Sequence, residues 1–147
     1  MSEASIRAIL LVEDDPADIY LIQKAVAECG ATIHLLVIPN GRDALAFLRA
    51  EEVYPLEPSP ALILLDLNLP KLDGHAVLAE LRRLPAYQAT PVVIFSGAPQ
   101  ETEEPRCAQL GATAYVQKPF TYYAYVDMLH ALVRQWLRPD TPHERSH

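Results

Sequence analysis

Five short apolar runs punctuate this 147-residue chain, over residues 6–12, 33–38, 61–65, 91–95 and 114–117, with stretches of helical periodicity between them. The third run, Ala61-Leu62-Ile63-Leu64-Leu65, has no polar residue at any alternate position. A strand with one wet face alternates apolar and polar residues, whereas one covered on both faces does not, and that is the pattern of a parallel sheet. Helices are predicted over 16–28, 42–50, 74–84, 106–110 and 121–137. Pro16 opens the first of these and Gly30 follows its end. Pro99 and Pro105 confine the fourth to its short span, with Gly111 as its cap. Strands alternating with helices imply an α/β architecture: a doubly wound, five-stranded parallel sheet covered on both sides. Right-handed crossovers gather the C-terminal ends of all the strands along one edge.

The residues just past each strand therefore share that edge. Glu13, Asp14 and Asp15 come after the first, Asp66 after the third, Ser96 after the fourth, and Lys118 with Pro119 after the fifth. Taken singly these residues have ordinary readings. Asp66 can be a strand stop or a cap, Ser96 a turn serine, Lys118 a surface lysine, and the acidic triplet a favourable start to the first helix. Asp15, directly before Pro16, reads as that cap, and Asp18 as a solvated acid of the first turn. Brought to one sheet edge, however, the carboxylates repel one another unless a cation sits among them. Carboxylate and carbonyl oxygens suit hard Mg²⁺, which also accepts phosphate oxygens. Lys118 and Ser96 supply a positive charge and a hydroxyl suited to a phosphoryl group. A carboxylate such as Asp66 can then serve as nucleophile toward phosphorus.

Composition narrows the class. Half of the residues are apolar and the net charge is −7, which fits an acidic globular protein with little attraction for nucleic acid or anionic membranes. The expectations are one domain over residues 1–138, a disordered tail over 139–147, no signal peptide and a cytoplasmic location. Cys29 and Cys107 lack metal-type spacing, and His34, His75, His130, His143 and His147 have no mutual spacing that suggests a ligand set. All of these read as structural or solvated.

Four segments together, Leu10-Leu11-Val12-Glu13-Asp14-Asp15, Leu64-Leu65-Asp66-Leu67-Asn68-Leu69-Pro70 with Asp73-Gly74, Val93-Ile94-Phe95-Ser96-Gly97, and Tyr115-Val116-Gln117-Lys118-Pro119-Phe120, resemble the receiver domain of two-component response regulators. The resemblance spans nearly the whole chain and implies the flavodoxin-like (βα)₅ receiver fold. It implies that Asp66 is the phosphoacceptor, and that Glu13, Asp14, Asp66 and the backbone carbonyl of Asn68 bind Mg²⁺. Ser96 and Lys118 would contact the phosphoryl group, Ser96 and Tyr115 would form the switch, and Pro119 would follow a cis bond. The receiver would not be an enzyme in its own right, but would assist its own phosphorylation and dephosphorylation. A haloacid-dehalogenase-type phosphatase would want a second Asp where Asn68 stands.

Within the family the chain is similar to stand-alone regulators paired with phytochrome histidine kinases. That likeness rests on Glu13-Asp14-Asp15-Pro16-Ala17-Asp18, the Pro-rich connection before the third strand, and Trp136-Leu137. It implies a histidine kinase as partner, of the phytochrome type, with output through protein contacts. The alternatives are a regulator of a non-light pathway, a phosphate sink or relay, and a phosphorylation-independent interaction module. In the last helix, Tyr122, Val126, Leu129, Val133, Trp136 and Leu137 form the expected core stripe. Tyr123, Tyr125, Met128, Trp136 and Leu137 form the expected face of a homodimer, with the final turn overhanging the sheet.

Overall fold

The structure is a computed structural model and describes residues 7–29, 32–56 and 58–137. The tail expected at 139–147 lies outside the described residues. Strands β1 (Arg7–Val12), β2 (Ile33–Ile38), β3 (Pro60–Leu65), β4 (Val92–Ser96) and β5 (Ala114–Gln117) form one sheet in the order β2-β1-β3-β4-β5. Every pairing is parallel. Helices α1 (Pro16–Ala27), α2 (Gly41–Val53), α3 (Gly74–Leu81), α4 (Gln100–Gln109) and α5 (Tyr122–Trp136) supply the crossovers.

The uninterrupted apolar runs are explained by two separate cores. Leu10, Val12, Ile63, Leu65 and Ile94 point to one side, where α2, α3 and Cys107 of α4 cover them. Ile9, Leu11, Leu62, Leu64, Val93 and Phe95 point to the other, against α1 and α5. Successive strand residues alternate between the faces, so a strand buried on both must be apolar throughout. The edge strand β2 is less covered and tolerates an exposed His34. Among the described residues no helix is long and apolar enough to cross a membrane.

Three local expectations change. Helix α4 begins at Gln100, six residues before the predicted start, and contains Pro105. Proline removes one helical hydrogen bond, whose acceptor here would be the carbonyl of Glu101. Both residues are exposed, so water can satisfy that carbonyl, while Glu101 and Glu103 complement the positive helix start. Helix α3 stops at Leu81 and the chain tightens into a 3₁₀ turn at Pro85–Tyr87. Leu84, preceding Pro85, is held in an extended conformation. The Arg82 guanidinium then gathers the carbonyls of Gly111, Tyr87 and Thr90 at 2.7–2.8 Å.

The stripe expected on α5 is rotated. Tyr125, Leu129 and Leu132 are its buried residues, while Val126, Val133 and Trp136 of the expected stripe pack against them partly buried. Tyr125 is 2% exposed and Leu137 3%, and both leave the expected dimer face for the interior. The final turn therefore packs down rather than overhanging, with Trp136 half-buried against the same core. The periodicity alone could not fix this rotation, because apolar residues stand on both sides of the true stripe.

Candidate phosphoryl-transfer site

Strand order reverses between β1 and β3, since β1 leads to β2 on one side while β3 lies on the other. Open α/β sheets form a crevice at such a switch point. Glu13 directly follows β1 and Asp66 directly follows β3, so both carboxylates enter it. The backbone holds them there, with Glu13 N–H donating to the Ile38 carbonyl at 3.2 Å and Asp66 N–H to the Val12 carbonyl at 3.0 Å.

The loop after Asp66 is tightly formed. Leu72 N–H donates to the Pro70 carbonyl at 2.8 Å across Lys71, whose φ is 73°. This is the rare, strained form of the γ-turn. Asp73 then caps α3 by accepting from Ala76 N–H at 3.0 Å. Gly74 N–H donates to the Leu67 carbonyl at 2.9 Å. A Cβ on Gly74 would lie 2.2 Å from the Asp66 carbonyl oxygen, so only glycine lets α3 start against the backbone of Asp66.

Lys118 is the electrostatic centre. Its Nζ lies 3.0 Å from Glu13 Oε1, 2.7 Å from Asp18 Oδ2 and 3.5 Å from Asp66 Oδ2. Its backbone N–H donates to the Ser96 carbonyl at 2.8 Å, fixing β5 against β4 at this point. Burial alone would lower the lysine pKa, but its hydrogen bond to Asp18 and the neighbouring Glu13 and Asp66 carboxylates hold it above the ordinary range. Glu13 is pushed up to about 7, first by burial and then by the Asp66 charge, against the pull of Lys118. Asp66 is raised as well, chiefly by burial, against the opposing Lys118 charge and Asn68 N–H. Three carboxylates share one ammonium, which leaves the cluster short of positive charge.

Two oxygens mark where the missing charge belongs. Asp66 Oδ1 and Glu13 Oε1 are buried and neither has a hydrogen-bond partner. Oε1 faces Lys118 at ion-pair distance without hydrogen-bond alignment. Glu13, Asp14 and Asp66 each offer an oxygen, all within 4.8 Å of one another, and Asp14 is open to solvent. Oxygen donors of this kind, buried on two sides and wet on the third, fit a hard divalent cation that keeps part of its water.

The sequence-predicted residues are thus largely brought together. Asn68 is exposed in the loop beside Asp66. Ser96 is buried at the tip of β4, where its Oγ accepts from Ala98 N–H at 3.1 Å. Tyr115 points inward, and its hydroxyl donates to the Ala98 carbonyl at 2.7 Å. The same short loop therefore engages both residues expected to form the switch.

Asp18 corrects the sequence reading. Far from being solvated, it pairs with Lys118 and accepts from the Tyr125 hydroxyl at 2.5 Å. Burial would raise its pKa, but the hydrogen bonds from Lys118 and Tyr125 outweigh that and hold it below the usual range. Asp15 does cap α1, through Ala17 N–H at 2.9 Å. Tyr125 was equally missed as part of the site; it stands edge-on to Phe95 at 5.8 Å, and Lys118 Nζ lies 5.4 Å from the centre of that ring. The available signal was Asp18 lying one turn inside a helix that starts at the acidic cluster.

Residues 9–130 match the protein family described as the response regulator receiver domain. Response regulator Rcp1 of Synechocystis is 35% identical over 135 residues, covering 92% of each chain. The crystal structure of the phosphorylated cyanobacterial phytochrome response regulator RcpA superposes with a TM-score of 0.83 at 36% identity, covering 93% of this chain and 98% of that one. The Mn²⁺-bound form of Rcp1 superposes with a TM-score of 0.79 at 35% identity, covering 92% and 97%.

Proposed function

The chain belongs to the response regulator receiver family and is a phosphoacceptor of two-component signalling; we propose that Asp66 is the residue that accepts the phosphoryl group from a histidine kinase. The observation that carries this is Asp66 Oδ1, buried and unpartnered beside a lysine and a second raised carboxylate.

In the proposed transfer, Asp66 attacks phosphorus, the new O–P bond forms, and the N–P bond to the kinase histidine breaks. The imidazole leaves with the bonding electron pair and regains its proton. Lys118 lies close enough to Asp66 to follow the developing charge on the phosphoryl oxygens, and preorganised charge of this kind is the main catalytic resource in phosphoryl transfer. Glu13, Asp14, Asp66 and the Asn68 carbonyl would hold Mg²⁺, which when bound neutralises phosphoryl oxygens and relieves the repulsion between Glu13 and Asp66. The Mn²⁺-bound form of Rcp1 supports a divalent cation here. By the same groups the receiver assists its own phosphorylation and, with water as attacking group, its own dephosphorylation.

The switch reading rests on the Ala98 loop. A phosphoryl group on Asp66 attracts the Ser96 hydroxyl, drawing the loop and its Ala98 carbonyl away from the Tyr115 hydroxyl that now donates to it. Tyr115 is then free to reorient, a local electrostatic event biasing a two-state element.

The likeness to RcpA supports a phytochrome-type kinase as partner. Output then passes through protein contacts rather than direct nucleic-acid binding, as the net charge of −7 favours, and the proposed location is cytoplasmic. If a second copy is the contact, the α5 residues left for it are Tyr123, which is 79% exposed, with half-buried Met128 and Trp136. The deciding experiment is phosphotransfer from an autophosphorylated phytochrome kinase in both light states. The wild type should take label from the kinase and Asp66→Asn should take none. Stoichiometric acid-labile label on Asp66→Asn would overturn the assignment, and transfer from a non-light kinase alone would redirect the pathway. Gel-filtration sizing before and after labelling tests the second copy.

A further inference from the structure

The contact between α3 and α4 brings together a nitrogen, an oxygen and a sulfur donor that the phosphoryl site does not use. His75 is the second residue of α3, while Glu103 and Cys107 stand four apart on one face of α4. His75 Nε2 lies 2.8 Å from Glu103 Oε1. One donor atom from each of His75, Glu103 and Cys107 lies within 4.8 Å of the others. A histidine–glutamate pair alone would serve as an interhelical hydrogen bond. The Cys107 thiol on the same side is not needed for that bond.

We propose that His75, Glu103 and Cys107 form a binding site for a borderline-soft divalent cation of the Zn²⁺ class, bridging α3 and α4. Imidazole, carboxylate and thiolate are the donors such an ion takes. Mg²⁺ prefers an all-oxygen set, which separates this site chemically from the acidic crevice. Donors on one tetrahedral zinc lie roughly 3.5 Å apart, from bond lengths of about 2.0–2.3 Å. The present spread closes to that by side-chain adjustments of about 1 Å.

The surroundings suit the ion. His75 Nδ1 faces Asp73 Oδ1 at 3.9 Å, and a carboxylate behind the second ring nitrogen is the usual way a ligating imidazole is oriented. The side chains of His75 and Glu103 are 16% and 24% exposed, so an ion can arrive from solvent and keep a water as fourth ligand. Cys107 is fully buried and anchors the inner side. Binding requires no redox step. The Cys107 thiol releases its proton, the neutral His75 imidazole carries its single ring proton on Nδ1 toward Asp73, and metal–nitrogen, metal–oxygen and metal–sulfur bonds form.

The test is titration of the full chain with Co²⁺, a spectroscopic stand-in for Zn²⁺, with saturating Mg²⁺ present to occupy the acidic crevice. The expected result is one Co²⁺ per chain with a thiolate-to-cobalt charge-transfer band, displaced by Zn²⁺. Cys107→Ser should abolish the band. His75→Ala and Glu103→Gln, at partly exposed positions, should each weaken binding by at least about tenfold while the circular dichroism is retained. They carry the test if Cys107→Ser does not fold. Cys29→Ser is the control and should leave the band intact, since Cys29 lies with His130 in a separate groove. Absence of the band, a band lost with Cys29, or unchanged affinity in both His75→Ala and Glu103→Gln would overturn the proposal.

Discussion

Removing the charge of Asp66 should stabilise the metal-free protein at neutral pH, although Asp66 is the proposed phosphoacceptor. The reason lies in the crevice. Glu13 is displaced from its ordinary 4.5 to about 7 by burial and by the neighbouring Asp66, and one pH unit corresponds to about 1.4 kcal/mol. Holding Glu13 ionised therefore costs about 3 kcal/mol, of which the Asp66 charge is the second cause after burial. Asp66→Asn removes that share and the burial cost of a second carboxylate, for a gain of about 1–3 kcal/mol. Lys118 keeps Glu13 and Asp18 as partners, so no cation is orphaned. At about 3–4 °C per kcal/mol for a chain of this size, the melting temperature should rise by roughly 3–10 °C. The pH dependence has a definite sign. Between 4.5 and about 7 the unfolded chain has lost a proton that folded Glu13 retains, so the group's stabilisation is complete below that window and lost as pH rises through it. The advantage of Asp66→Asn should accordingly be large near about pH 8 and shrink near about pH 5. Calorimetry in chelator at both values decides this, with Mg²⁺ added in a second series that should raise the wild type and leave the variant nearly unmoved. A variant no more stable than wild type at the higher pH, or an equal gain at both, would refute the reasoning.

Other perturbations separate the site from its support. Lys118→Met strands Glu13, Asp18 and Asp66 without their cation and should cost about 3–5 kcal/mol by urea denaturation, together with loss of phosphorylation. Gly74→Ala drives a Cβ into the Asp66 carbonyl and should cost about 1–3 kcal/mol while slowing phosphorylation, because the backbone of the proposed phosphoacceptor must move. Arg82→Ala frees three carbonyls far from the crevice; it should lower stability by about 2–4 kcal/mol with labelling per folded molecule unchanged. Tyr125→Phe removes one hydrogen bond to Asp18, costing about 1 kcal/mol, and should lift the Asp18 pKa toward its ordinary value when followed by NMR titration.

The strands were readable because burial on both faces forces unbroken apolar runs; β2 and β5 fall on the predicted residues. Helix ends were less so. Pro105 is a helix breaker in sequence, yet on the exposed side of α4 solvent can replace the lost bond. The rotation of α5 was hidden because Tyr122, Val126 and Val133 flank the true stripe of Tyr125, Leu129 and Leu132. In the crevice, Glu13, Asp66 and Lys118 were legible since each stands at a strand tip, where topology alone fixes position. Asp18 was not, because its role depends on how α1 lies against Lys118 and Tyr125, from parts of the chain about a hundred residues away. The meeting of His75 with Glu103 and Cys107 was invisible for the same reason: ligand spacing in sequence cannot report a contact between two helices.

The central claim, that Asp66 is the phosphoacceptor, is tested most directly by locating the phosphoryl group. The protein is labelled with acetyl phosphate and Mg²⁺, reduced with borohydride to convert any aspartyl phosphate to homoserine, digested and sequenced by mass spectrometry. The account predicts homoserine at position 66, dependent on Mg²⁺ and absent in Asp66→Asn. Homoserine at Asp14, Asp15 or Asp18 with position 66 unmodified would contradict it.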